Sequence, residues 1–347
     1  MTISPIYLDC NATTPVDPRV LEAMLPYLAV HYGNPSSDHV VGQHAKAAAD
    51  AARPALSDRR QSLVTSAIEH PSVLEPLRHL ALQGWALTEL PVDAAGRVQM
   101  DRAAYAITPE VALVSVMLAN NETGSLQPVR ALADLAHAAG ALMHVDAAQA
   151  VGKVAVDVNE LGADLLTLAG HKFYAPKGVG ALVVRTSVSI EPIQFGAGHE
   201  RGLRPGTENV PHIVALGEAA RLARTTLAQE AARMTALRDR LHGRLAAAIP
   251  GLRLNGHPTE RLPNTLNLSF PAVAGWQLLA AAPSVAASTG SACHAGEHAV
   301  SGVLAAMGLT REAAAGTVRL SLGRFTTEAE IDSAAAALIG AWQSLTA

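Results

Sequence analysis

Residues 142–172 read LMHVDAAQAVGKVAVDVNELGADLLTLAGHK, and the reading of this stretch decides the fold. It begins with a short apolar run that ends in Asp146. A second apolar run, 165–168, ends in Gly170, His171 and Lys172. Short apolar runs bounded by turn signals are expected of strands covered on both faces. The link 151–164 leaves room for a turn and a strand-like connection. A carboxylate and a lysine thus close two consecutive core strands. Each alone has a plain reading: a turn or cap residue for the aspartate, a solvated surface group for the lysine.

Working outward, 6–15 forms a short strand and turn, and 18–30 has helical spacing through Val20, Leu21, Met24, Leu25 and Leu28. Gly33 to Ser37 breaks that pattern, and 43–56 reads as an alanine-rich helix. A polar joint at 57–61 leads directly into a strand, 62–67. Helices at 72–83, 102–106 and 129–139 alternate with strands at 86–91 and 111–118. After Lys172 come a strand at 181–185, a glycine-rich basic stretch at 196–206 and a helix at 211–227. From 228 the character changes to a long helix reaching 249 and a strand at 264–270. Alternation of this kind predicts an α/β fold with a mostly parallel, doubly wound sheet. The expected division is a large domain, 13–227, and a smaller α+β domain made of 1–12 with 228–347.

Four polar clusters punctuate strand ends: Glu69 with His70; Asn120, Asn121 and Glu122; Asp146 with Gln149; His171 with Lys172. Turn chemistry accounts for any one of them. All four at the same end of successive strands points to one crevice, where open α/β sheets bind ligands. A lysine there forms a Schiff base with an aldehyde cofactor, and an aspartate keeps a pyridine nitrogen protonated. That pair is what pyridoxal phosphate requires. Further on, Cys293 sits among small residues with His294 beside it. This suits a nucleophilic thiol on an exposed loop, or simply a chance cysteine. Arg324 follows an apolar run and is either a surface salt bridge or a two-pronged fork for a carboxylate.

Composition narrows the class. The 347 residues are 49% hydrophobic and 16% charged, enough for a large core. A net charge of -4 gives no basic footprint for nucleic acid. No apolar run is long enough to span a membrane, and no secretory signal opens the chain, so a cytoplasmic setting is expected. Two cysteines make no disulfide framework, and the scattered histidines suggest no metal site.

Taken together, nine stretches resemble the cysteine desulfurases of the NifS/IscS type, in the class-V aminotransferase-like group. They are YLDCNATTPVDP (7–18), GNPSS (33–37), TSAIEHPSVLEP (65–76), NNETG (120–124), HVDAAQAVG (144–152), GHKFYAPKGVG (170–180), ERGLRPGTENV (200–210), GSAC (290–293) and RLSLGRFTT (319–327). The resemblance implies PLP fold type I, the aspartate aminotransferase-like architecture. It also implies conversion of L-cysteine to L-alanine, with the sulfur carried as a persulfide on Cys293 to a sulfur-acceptor protein for iron–sulfur assembly or tRNA thiolation. By the same resemblance Lys172 is the Schiff-base lysine and His171 a phosphate contact. Asp146 pairs with the pyridine nitrogen, and Gln149 bonds the phenolic oxygen. His70 stacks on the ring and moves protons, and Asn121 orients ring and substrate. Thr207 reaches the phosphate of a neighbouring subunit, which implies a homodimer. Asn11 and Arg324 hold the substrate carboxylate.

Two departures stand out. The family's strand, Gly-Gly-Thr turn and helix are missing between Leu56 and Ser62, and with them a helix N-terminus that cradles phosphate. Ala169 replaces a serine that also contacts phosphate. Arg59 and Arg60 at the joint are the candidates to compensate. Selenocysteine lyase is an alternative activity, and a non-catalytic binding or scaffold relative an alternative of another class.

Overall fold

The structure is a computed structural model that describes residues 5–29, 60–289 and 300–347. The helix expected at 43–56, the 33–37 break, Arg59 and the Cys293 loop lie outside the described residues. In chain order the elements are β1 (Ile6–Tyr7), α1 (Pro18–Ala29), β2 (Ser62–Ser66), α2 (Pro71–Leu82), β3 (Ala86–Leu90), α3 (Met100–Ala106) and β4 (Val111–Met117). Next come α4 (Val129–Ala138), β5 (Leu142–Asp146), α5 (Val158–Leu161), β6 (Leu165–Ala169) and β7 (Gly180–Val184). The rest are α6 (Val210–Ala248), β8 (Arg253–Asn255), β9 (Thr265–Ser269), α7 (Gly275–Ala281), β10 (Val285–Ala286), α8 (Gly302–Ala306), α9 (Arg311–Ala315), β11 (Thr317–Ser321) and α10 (Glu328–Thr346).

The central sheet has the order β3-β2-β4-β5-β6-β7. Its pairings are parallel except the last, where β7 runs antiparallel to β6. The strands form because their apolar runs are covered on both faces. Helix α4, for example, buries Val129, Leu132, Ala133 and Ala136, the spacing of one helical face. Those side chains join Val114, Val116, Met143 and Val145 of the sheet in one core. β7 is the outermost described strand on its side, and Val183 is 38% exposed.

A second core lies on the three-stranded antiparallel sheet β11-β9-β8, covered by α10 and the end of α6. Leu8 of the amino-terminal segment is fully buried in it, while Cys10 N donates to Ser321 O. The chain start is therefore stitched to the C-terminal unit.

Two expectations are corrected here. The helices expected at 211–227 and 228–249 are one 39-residue helix, α6, because no glycine or proline interrupts the chain between 225 and 230. Its first half packs on α1 through Ala215, Ala219 and Leu222. Its second half supplies Leu237, Leu241 and Leu245 to the second core. The 151–164 link is not strand-like either. It holds the single helical turn α5, opened by Asp157, whose carboxylate accepts from Asn159 N, and closed by left-handed Gly162 (φ 68°).

Candidate active site

Parallel strands place the ends of β2, β4, β5 and β6 on one edge of the sheet, and the expected polar clusters sit there. Glu69 and His70 follow β2. His70 caps α2, its Nδ1 accepting from Ser72 N at 3.2 Å. Burial, aided by the Lys172 charge, lowers its pKa. Glu69 is buried, with Oε1 accepting from Met117 N at 3.0 Å and from the Ser66 hydroxyl. Its Oε2 has no partner, and burial pushes the carboxyl up to about 8. Asn120 after β4 is an internal cap, its Oδ1 accepting from Glu122 N and Thr123 N. Asn121 offers its carbonyl to Asn11 Nδ2 and Arg319 Nη1.

Asp146 closes β5. Its Oδ1 accepts from Ala148 N at 2.8 Å, and Oδ2 has no hydrogen-bond partner among the described residues. Lys172 closes the 3-10 turn after β6. Its Nζ donates to the carbonyls of Asn11 at 2.7 Å and Ala12 at 3.0 Å, and no carboxylate among the described residues pairs with it. Burial first, then Arg319, lowers its pKa. Gln149 Nε2 donates to the same Asn11 carbonyl at 3.0 Å. His171 Nδ1 lies 3.2 Å from Thr13 Oγ1, and burial lowers its pKa.

Asn11 is thus a hub. It is 1% exposed, and its side chain is fully engaged. Oδ1 accepts from Lys153 Nζ and Asn264 Nδ2, while Nδ2 donates to Thr265 Oγ1 and the Asn121 carbonyl. In this arrangement neither amide hydrogen is free for a substrate carboxylate. Arg324 is gripped by Asp17 through Nη1, and its Nε is buried without a partner. Thr207 is exposed ahead of α6 and joins none of these residues within its own chain.

Sequence reading passed over several groups. Lys153 is 5% exposed and donates to Gln149 Oε1 at 2.8 Å. Burial and the nearby Lys172 charge bring it down to about 7. The only signal was its position four residues after Gln149. Cys10 lines the same narrow cavity as Lys153, Lys172 and Arg324, and burial pushes its thiol up to about 12. It is therefore no ready nucleophile. Arg319 holds Asp9 at 2.6 Å. One expectation fails outright: Arg60 donates to the carbonyls of Val111, Ala139 and Gly140. That is the amino end of the sheet, opposite the crevice, about 16 Å away along a five-residue strand. It cannot substitute for a phosphate loop.

Comparison with known proteins places this arrangement. The aminotransferase class-V family matches residues 6–59 and 48–333, so the match divides within 48–59. Cysteine desulfurase 2 of Trichormus variabilis is 43% identical over 363 aligned positions, covering 95% of this chain and 91% of that protein. Cysteine desulfurase NifS of Azotobacter vinelandii is 41% identical, covering 95% and 90%. An alignment longer than the 347-residue chain means that these relatives carry positions with no counterpart here. A solved structure described as a NifS-like protein superposes with a TM-score of 0.89 at 32% identity, covering 97% of this chain and 98% of that one. The family match over most of the chain and the superposition agree, and the chain belongs to the class-V aminotransferases, with the fold type I architecture of the pyridoxal phosphate-dependent NifS-like proteins.

Proposed function

We propose that this protein is a pyridoxal phosphate-dependent cysteine desulfurase that converts L-cysteine to L-alanine and passes the sulfur to an acceptor protein for iron–sulfur cluster assembly. The observation that carries the reading is the pair at the strand ends. Among the described residues Lys172 is held by two carbonyls and Asp146 Oδ2 is unengaged, which leaves both to meet a cofactor. The ring end of the cofactor fits these residues. Asp146 would face the pyridine nitrogen, Gln149 the phenolic oxygen, His70 the ring face and Asn121 its edge. His171 would meet the phosphate.

Bound pyridoxal phosphate supplies an aldehyde for the substrate amine and a sink for the electron pair released at Cα. The chain does the rest. Arg324 holds the α-carboxylate, with Asn11 at the wall beside it. Lys172 Nζ, its proton affinity reduced by burial and Arg319, takes the proton from Cα. His70 moves the proton of the substrate thiol. Cys293 Sγ then bonds to the substrate sulfur as the Cβ–S bond breaks. The electron pair stays on Cβ, which is protonated, and Lys172 returns a proton to Cα, leaving alanine and a Cys293 persulfide.

The phosphate end rests on fewer groups than the ring end. We read the division of the family match at 48–59 as a missing strand, turn and helix, with β7 the outermost strand on that side among the described residues. Thr207 is exposed, as are Ile193 (93%) and Phe195 (88%) on the preceding loop. These support a homodimer in which Thr207 completes the partner's phosphate site. The division into 13–227 and 1–12 with 228–347 is kept as the domain reading, with α6 crossing between them. No helix among the described residues is long and apolar enough to cross a membrane, and a cytoplasmic setting suits the free Cys10 thiol.

The test is a visible-absorption titration with pyridoxal phosphate beside Lys172→Ala, followed by alanine release from cysteine and selenocysteine. A saturable cofactor band lost in the variant, with alanine from cysteine that Cys293→Ala abolishes, supports the desulfurase. Alanine from selenocysteine alone replaces it by a lyase. No band in a folded protein overturns the reading.

A further inference from the structure

We propose that Asp17 and Tyr174 are positioning residues that hold the Arg324 guanidinium with one edge free for the substrate α-carboxylate, and so set the preference for a carboxylate-bearing aminothiol. This rests on the desulfurase reading but concerns residues that reading does not use. Asp17 is fully buried at the start of α1. Its Oδ2 bridges Arg324 Nη1 and Arg19 Nη2, and its Oδ1 accepts from Arg19 N and Nε. Arg19 lies half exposed on the outer side, so the buried face of Asp17 belongs to Arg324. The Tyr174 ring lies under the guanidinium, 4.5 Å from its carbon to the ring centroid. The same tyrosine's hydroxyl accepts from Arg324 N. Phe325 packs edge-on against that ring at 5.8 Å.

This grip leaves a defined remainder. Nη1 lies on the Cδ side of the guanidinium. The opposite edge, formed by Nε and Nη2, has no hydrogen-bond partner among the described residues, and Nε is buried. A buried orphan donor is costly. A carboxylate across Nε and Nη2 satisfies it with two parallel charge-assisted bonds. Arg324 also lines the cavity shared with Lys172, so the arginine stands beside the place where a substrate amino acid would be held. Tyr174 gets there at a cost. It stands two residues after Lys172 with φ 76°, a conformation rare for an aromatic residue. Asp17 N to Tyr174 O (3.0 Å) and Tyr174 N to Thr14 Oγ1 (2.8 Å) lock that turn to the start of α1. The turn that carries the lysine thereby also carries the support of the arginine.

The experiment compares L-cysteine with cysteamine, which lacks the carboxylate, in the cofactor-loaded enzyme. Binding of 3-mercaptopropionate is measured beside it by calorimetry. Asp17→Asn and Tyr174→Leu are expected to lower the cysteine-to-cysteamine ratio of kcat/KM about tenfold, the scale of one charge-assisted bond. The loss should fall on KM for cysteine and on the Kd of 3-mercaptopropionate, with the cofactor absorption band unchanged. Tyr174→Phe keeps the ring and the packing and should give a smaller loss in the same direction. It also remains informative if Asp17→Asn does not fold. A ratio and a Kd within twofold of the parent in every folded variant overturn the proposal. If the parent binds cofactor but releases neither alanine from cysteine nor ethylamine from cysteamine, the desulfurase reading fails instead, and the 3-mercaptopropionate Kd still reports on the clamp.

Discussion

Lys153 gives the most searching test of the buried network. It is 5% exposed, donates to Gln149 Oε1 and Asn11 Oδ1, and faces the cations Lys172 and Arg319 and the Cys10 thiol. Burial brings its pKa from 10.5 to about 7. Between those values the unfolded chain binds the proton and the native state does not, so native stability rises with pH across that window. At 1.36 kcal/mol per unit, the ceiling on this penalty at or below neutral pH is about 4–5 kcal/mol. Lys153→Met removes the penalty and also two hydrogen bonds. Asn11 Oδ1 keeps Asn264 as a donor, but Gln149 Oε1 is left bare, at a cost of about 1–3 kcal/mol. The variant should therefore be more stable than the parent by about 1–3 kcal/mol near pH 6.5. The difference should shrink as pH rises and reverse near pH 10, where only the lost bonds remain. Urea midpoints of the cofactor-free proteins, measured side by side at half-unit steps, cancel the other titrating groups. A variant-minus-parent difference that stays flat from pH 6.5 to 10 would falsify the placement of a desolvated amine at this point.

Glu69 has the opposite sign. With its folded pKa raised to about 8, the native state binds the proton more tightly than the unfolded chain, so its contribution to stability is lost as pH rises from about 4.5 to 8. Glu69→Gln should flatten that slope in the urea midpoint, whereas an unchanged slope means the carboxyl is ionised in the fold. Gly275→Ala tests the approach of α7 to β11: a Cβ there would stand 2.2 Å from the Thr317 carbonyl. Backbone has to move, and a loss of about 2 kcal/mol or more is expected by calorimetry, while a neutral result refutes the contact.

Much of this was open to sequence reading because it depends on local pattern. The run 111–118 can only be a strand covered on both faces, and it is β4. The helical spacing of 129–139 places Leu132 and Ala136 inward as α4. The polar clusters at the ends of β2, β4, β5 and β6 were found because parallel strands bring all their carboxyl ends to one side. The single helix α6 is not legible in sequence because composition changes at 228 and suggests a break, although nothing there stops helical hydrogen bonding. The place of Arg60 is not legible either, because nearness to a gap in sequence does not say which end of a sheet a side chain reaches.

By itself, then, the sequence determined the strand–helix alternation, the crevice and its principal lysine and aspartate, all of which follow from periodicity and strand direction. Only the tertiary structure decided that Asn11 is a saturated hub, that Lys153 lies buried between Gln149 and Asn11, and that Asp17 and Tyr174 grip Arg324. Those contacts join residues separated by as many as 307 positions. Their partners are chosen by packing after the chain has folded, and no local pattern encodes which buried donor meets which acceptor.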